Sequence, residues 1–232
     1  MFQPHPESVR LTLRALGCLL TYPDAQLRAV LPQLVDALQL EGALSPRRLN
    51  EIEALCRQIT TLAPMEAEAR YVDLFDRGRQ TSLHLFEHVH GDSRDRGPAL
   101  IDLLQTYERA GLQFSAPELP DHLPVVLEFA STQPPEVASE FLSEMAHILN
   151  ALFSALLGRE SPYASVVAAV LEVAGQRVQA VELAPEPDLD EVWSEPAAFD
   201  GCSSRGQSRP DQPQPMHFVR TERTRPQQGA SR

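Results

Sequence analysis

Residues 45–62 read SPRRLNEIEALCRQITTL, and the stretch carries both a helix start and a helix stripe. Ser45 offers an N-cap, and Pro46 takes the first helical position, where its missing N–H is no loss. Leu49, Ile52, Leu55, Cys56 and Ile59 then recur at spacings of three and four. Such spacing lines one face of a helix but scatters over both faces of a strand, so the segment buries an apolar stripe only as a helix.

The same grammar repeats along the chain. It predicts helices over 8–20, with Ser8 as cap and the TYPD turn as stop, and over 24–40, with Asp24 as cap and Pro32 as a kink or break. Residues 64–78 begin at Pro64 and stop at Gly78, with a predicted face of Met65, Ala69, Val72 and Phe75 flanked by Tyr71 and Leu74. Further helices are predicted over 81–90, closed by Gly91, and over 95–111, 120–131, 134–158 and 161–181, the last started by Ser161 and Pro162. No paired alternating runs and no Asn-Gly hairpin turn occur. The expectation is all-α: a single globular helical domain of about nine helices over residues 1–183.

From Ala184 the periodicity stops. Pro185, Pro187, Pro196, Pro210, Pro213, Pro215 and Pro226 are interspersed with Ser, Gln and Gly, so residues 184–232 are expected to form a disordered tail. Its first part, 186–200, is acidic around Trp193 and Phe199, which suits either a docking segment or a solubilising tail.

The formal charge is −12, and the chain has no lysine at all. An acidic surface does not displace counterions from a phosphate backbone, so nucleic acid is not an expected partner, whereas cationic peptide segments suit it. Cys18, Cys56 and Cys202 are too scattered for a disulfide framework, which points to a reducing cytoplasm. Cys18 and Cys56 fall in apolar helical patterns and are expected in the core. The N-terminus lacks a basic region ahead of its apolar run, which Arg14 interrupts, and no run of 18 uncharged apolar residues follows, so neither signal peptide nor membrane insertion is expected.

Residues 84–88 read HLFEH, and His84, Glu87 and His88 spell H-x-x-E-H, a zinc-peptidase pattern. If residues 81–90 are one helix, His84 and His88 share a face with Glu87 close by. No third-ligand helix stands out, and Glu140, Glu144 and Glu160 are the remaining donors. The opposing reading is a polar helix face beside the loop GDSRDRG, where Arg94 and Arg96 answer Glu87 and metal and catalysis are both absent. No Gly-rich phosphate loop and no G-x-S-x-G is present.

YVDLFDRGRQTSLHLFEHVHGDSRDRGPALIDLLQTYERAGL (71–112), followed by ELPDHLPVVLEF (118–129), resembles the NarJ-type chaperones, the nitrate reductase delta subunit family within the TorD-like group of redox-enzyme maturation chaperones. The resemblance spans about residues 8–183 and is densest over 71–129. It implies an all-helical, non-enzymatic cytoplasmic protein that binds the immature catalytic (alpha) subunit of respiratory nitrate reductase at its N-terminal segment. It also implies support for molybdenum cofactor insertion into that client, with no cofactor held stably by the chaperone itself. A sister chaperone for another molybdoenzyme is the alternative.

Two family motifs fall on particular residues. The aromatic-x-x-Leu-Phe motif matches Tyr71, Leu74 and Phe75, although the acid found four residues earlier in the group is Ala67 here, between Glu66 and Glu68. The Asp-His motif after a proline-rich turn matches Pro120, Asp121 and His122. The resemblance makes these six residues client-binding, with Asp121 pairing a client cation, and leaves His84, Glu87, His88, Arg94 and Arg96 as structural or client-contact residues. Read as local structure, Leu74 and Phe75 are core and Asp121 caps a helix beginning at His122.

Overall fold

The computed structural model describes residues 8–91, 93–115 and 118–183. Among these are ten α-helices: α1 (Arg10–Leu19), α2 (Ala25–Glu41), α3 (Pro46–Thr61), α4 (Pro64–Phe75), α5 (Glu87–His90), α6 (Arg96–Arg109), α7 (Leu123–Ser131), α8 (Pro135–Glu144), α9 (Ala146–Gly158) and α10 (Ala164–Val173). A 3₁₀ turn, Arg79–Thr81, follows α4. The expected tail, with Cys202, Trp193 and Phe199, lies outside the described residues.

The centre of the core is α10. Its sequence, ASVVAAVLEV, is apolar on every side, and nine of its ten residues are buried. A helix of that kind is stable only when neighbours surround it, and α1, α3, α8 and α9 all pack against it. Its single acid, Glu172, is put to use on α3, where it accepts the Ser45 N–H at 2.7 Å and faces the Arg48 guanidinium at 3.5 Å. On the other side of α1 lie α2 and α7, so α1 is held between the central layer and the functional face.

The capping signals at Asp24 and Ser45 are realised, with their side chains accepting the N–H groups of Leu27 and Arg48. Pro32 does not break α2, which runs on to Glu41 and stops at Gly42 with φ of 64°. Ser8 is not at the cap position of α1, although its hydroxyl accepts the Arg10 N–H at 3.4 Å. Val9 occupies the cap position, and Glu41 from the end of α2 accepts the N–H groups of Leu11 and Thr12, at 3.1 and 2.6 Å, and the Ser8 hydroxyl. Local sequence cannot reveal a cap delivered from thirty residues away.

Four other expectations are corrected. The stretch 134–158 is two helices meeting at 69° around Met145. The Met145 N–H bonds back to Leu142, three residues earlier, and the bend lets both α8 and α9 lay their apolar faces on α10. Residues 161–181 are helical only to Val173; beyond Gly175 (φ of 66°) the chain runs along α9, with the N–H groups of Gln179 and Val181 bonded to Asn150 and Ser154. On α4 the buried stripe is Ala67, Tyr71 and Phe75, while Met65 is 82% exposed. Cys56 is buried, but Cys18 is exposed. No single helix among the described residues is long and apolar enough to cross a membrane.

Glu41 couples α2 to α1. Burial would raise its carboxyl pKa, but the Thr12, Ser8 and Leu11 donors outweigh burial and hold it below the usual carboxylate range. Its stabilisation is therefore present above the unfolded value of about 4.3 and is lost as pH falls through the lower folded value. Glu41→Ala is expected to cost about 1 kcal/mol in urea unfolding at pH 7, with the deficit closing in acid.

Candidate functional site

The expected helix over 81–90 is helical only from Glu87. Residues 82–86 instead run beside 121–123. The Leu123 N–H donates to the Leu83 carbonyl at 2.8 Å and the Leu85 N–H to the Asp121 carbonyl at 3.1 Å, giving an antiparallel bridge between His84 and His122. Leu83 and Leu85 point into the core, so alternation fixes His84 on the opposite, solvent side.

Asp121 organises this bridge. Its side chain is 0% exposed, yet both carboxylate oxygens are answered: Oδ1 by His84 Nδ1 at 3.4 Å, and Oδ2 by the Phe86 N–H at 3.0 Å and the Arg96 guanidinium at 3.8 Å. Arg96 also pairs with Glu87 at 3.1 Å. Glu87 in turn accepts the Ser82 hydroxyl, and His88 Nε2 donates to the Ser82 carbonyl at 2.9 Å. The residues of HLFEH thus hold a loop. His84 precedes the helix that carries Glu87 and His88, the zinc-peptidase geometry is not formed, and no metal-holding group of three appears among the described residues. The Arg94 side chain lies exposed on the loop before α6.

The two motifs meet on one groove of about 600 Å³. Tyr71 from α4, His84 from the bridge and His122 from the start of α7 line it together with Tyr22, Cys18, Pro124 and Val125. The rings of His84 and His122 lie 5.0 Å apart. Asp76, Glu118 and Glu128, all exposed, face a single Arg14 across the groove. An apolar hollow of about 310 Å³, lined by Tyr107, Leu112, Phe114 and Phe129, adjoins it through the shared residues Val125 and Glu128.

The other motif residues sit behind this surface. Phe75 is buried against Tyr71 and Tyr163, with ring centres 4.7 and 5.1 Å away. Leu74 is half-buried and lines a separate hollow with Leu55, Ile59 and Tyr163. The Tyr71 hydroxyl donates to the Leu20 carbonyl at 2.7 Å, tying α4 to α1. Pro120 is buried, and its carbonyl accepts the Tyr107 hydroxyl at 2.8 Å. Asp121 does not cap α7, whose cap position is His122, and with no exposed surface it is not placed to meet a client cation directly. Sequence reasoning missed the rim: Tyr22, Asp76, Glu118 and Glu128. The available signal was Tyr22 itself, a large aromatic in a turn ahead of a helix cap.

The two histidines are pushed in opposite directions. The Asp121 hydrogen bond, against partial burial and aided by the charges of Asp121 and Glu87, raises the His84 pKa. Burial and the neighbouring His84 charge lower that of His122. The Asp121 carboxyl would be raised by burial but is held below its usual range by His84, the Phe86 N–H and Arg96. The His84 contribution to stability is complete below about pH 6.5 and is lost as pH rises through its higher folded value; His122 works against folding below about pH 6.5. NMR titration of the imidazoles is expected to give His84 above and His122 below that reference. Asp121→Asn should reverse the His84 shift and destabilise the protein by about 3 kcal/mol near pH 6.

The sequence profile of the family described as "Nitrate reductase delta subunit" matches residues 23–169. The chain is 41% identical over 187 residues to the nitrate reductase molybdenum cofactor assembly chaperone NarJ of Escherichia coli strain K12, covering 76% of this chain and 79% of that one. It is 36% identical over 174 residues to the protein bearing the NarJ name in Bacillus subtilis strain 168, covering 72% and 92%. Among solved structures, a protein described as a redox enzyme maturation protein from Archaeoglobus fulgidus aligns with a TM-score of 0.51 at 19% identity over 76% of this chain and 98% of its own, a likeness of fold. The helical architecture, the meeting of the two motifs on one groove and the match over most of the helical domain together make this chain a member of the nitrate reductase delta subunit family, the NarJ-type chaperones.

Proposed function

We propose that this chain is a non-catalytic, cytoplasmic assembly chaperone for respiratory nitrate reductase. It binds the immature catalytic subunit at that subunit's N-terminal segment, keeps it competent for molybdenum cofactor insertion, restrains membrane docking until assembly is complete, and leaves the finished enzyme. The cofactor is cargo of the client, and no stable site for it is assigned to the chaperone.

The observation that carries this reading is the groove where Tyr71 and His122, from the two family motifs, face one opening. Tyr71, His84 and His122 form its floor, while Leu74, Phe75, Pro120 and Asp121 hold that floor in place from behind. The groove is partly apolar, its rim is acidic, and the adjoining Phe114–Phe129 hollow suits an apolar anchor side chain. A short basic segment with one or two hydrophobic residues matches those features.

The test is calorimetric titration of a synthetic peptide carrying the client's N-terminal segment. Binding is expected, and Val125→Arg, which places bulk and like charge between groove and hollow, is expected to weaken it about ten-fold or more while leaving the circular dichroism melt unchanged. A peptide that ignores the wild-type protein sinks the assignment of the groove. Co-purification that returns the catalytic subunit of a different molybdoenzyme transfers the chaperone to that client.

A further inference from the structure

Tyr22 stands where α1 ends and the groove begins. It is 44% exposed, and its ring meets Tyr71 edge-on at 5.7 Å and 85°. Its hydroxyl donates to Glu68 at 3.1 Å. Position 67, where the wider group carries an acid, is buried in this chain and holds Ala67, and Glu66 pairs outward with Arg70 at 2.7 Å. Glu68 is therefore the acid of this helix turn that reaches Tyr22, from the hollow beside the groove, and its hydrogen bond orients the Tyr22 ring.

Around that ring carboxylates outnumber guanidinium groups: Asp76, Glu118 and Glu128 face Arg14 in the groove, and Glu66, Glu68 and Asp73 accompany Arg70 and Arg77 in the hollow on the other side of Tyr22. Loss of hydration, then the Glu68 hydrogen bond and the charges of Glu68, Asp24 and Asp76, raise the pKa of the Tyr22 hydroxyl. Asp76 and Glu118 also act on Tyr71, and Glu118 acts on His122. Asp76 and Glu118 are exposed members of the groove wall, and among the described residues Arg14 is the one arginine that lines it.

An exposed aromatic ring flanked by solvent-facing carboxylates matches one side chain better than any other. A guanidinium is planar, is weakly hydrated, stacks on a phenol ring and forks its donors to carboxylates; an ammonium is a strongly hydrated point charge that does only the last of these, and less specifically. We propose that the Tyr22 end of the groove is an arginine subsite, in which one guanidinium of the bound client segment lies on the Tyr22 ring and is held by Asp76 and Glu118. Glu68 is a positioning residue that acts through Tyr22. This inference rests on the client-binding reading above and adds to it the residues that choose the cation.

Two measurements on the full chain test it. In calorimetry, the client's N-terminal peptide is compared with versions in which each cationic residue is changed in turn to Ala and to Lys. One arginine is expected to stand out, losing about ten-fold as Ala and about three-fold as Lys. Tyr22→Leu and Asp76→Asn should each weaken the parent peptide about three- to five-fold, yet have less than about a two-fold effect on the peptide lacking that arginine. In the second measurement, NMR titration with arginine ethyl ester should shift the Tyr22 ring signals more than lysine ethyl ester does. A peptide that binds with no cation standing out, or a Tyr22→Leu effect undiminished when the arginine is gone, overturns the subsite and leaves the client reading intact. A peptide that does not bind removes the client reading, and an arginine ester that leaves Tyr22 unmoved removes the subsite by itself.

Discussion

Asp121 is a charge with no exposed surface, and the functional face is arranged around answering it. Taking a carboxylate out of water costs several kcal/mol unless donors and opposite charges replace the lost hydration. The replacement here comes from three groups on two segments: the Phe86 N–H and His84 from the loop after α4, and Arg96 from the start of α6. Each of these is fixed by supplying it. Arg96 extends the arrangement to Glu87, and Glu87 to Ser82. Ser82, His84, Phe86, Glu87 and Arg96 are therefore tied into one network, and His84 is presented beside His122 as a consequence.

This arrangement needs a rigid support, which the buried α10 provides. Because α10 is buried on every side, α1, α3, α8 and α9 are referenced to it, and α1 passes that reference to α7. The groove lies where α1, α4 and the α7 entrance converge, and the Tyr71 hydroxyl bonded to Leu20 locks two of those three. The rim, by contrast, is made of side chains that reach into solvent. A packed backing with a solvent-facing edge suits the proposed recognition and release of a short client segment.

What the sequence disclosed and what it withheld divide along a physical line. Features encoded within one turn were legible: the Asp24 and Ser45 caps, the Pro46 and Pro64 helix starts, and the stripe Ile52, Leu55, Cys56 and Ile59 are all present as read. Features set by distant partners were not. Glu41 replaces Ser8 at the start of α1, the bridge to 121–123 pulls residues 82–86 out of the helix that their composition favours, and α10 bends 134–158 into two pieces. The same division runs through the site. The motif residues could be named in advance, but not that Asp121, Phe75 and Pro120 act from behind while Tyr71 and His122 meet the groove, because burial is decided by packing between segments fifty residues apart.

The histidines of HLFEH show why type and spacing alone mislead. In the H-x-x-E-H pattern a continuous helix sets both imidazoles on one face with the Glu beside them, and here the helix begins between the two histidines. One ring nitrogen of each is committed within the chain, His84 Nδ1 to Asp121 and His88 Nε2 to the Ser82 carbonyl. What remains available at the surface is the His84 ring beside His122, set among tyrosines and carboxylates. That combination offers stacking surface and negative charge, the two features on which the proposed recognition of a cationic segment rests.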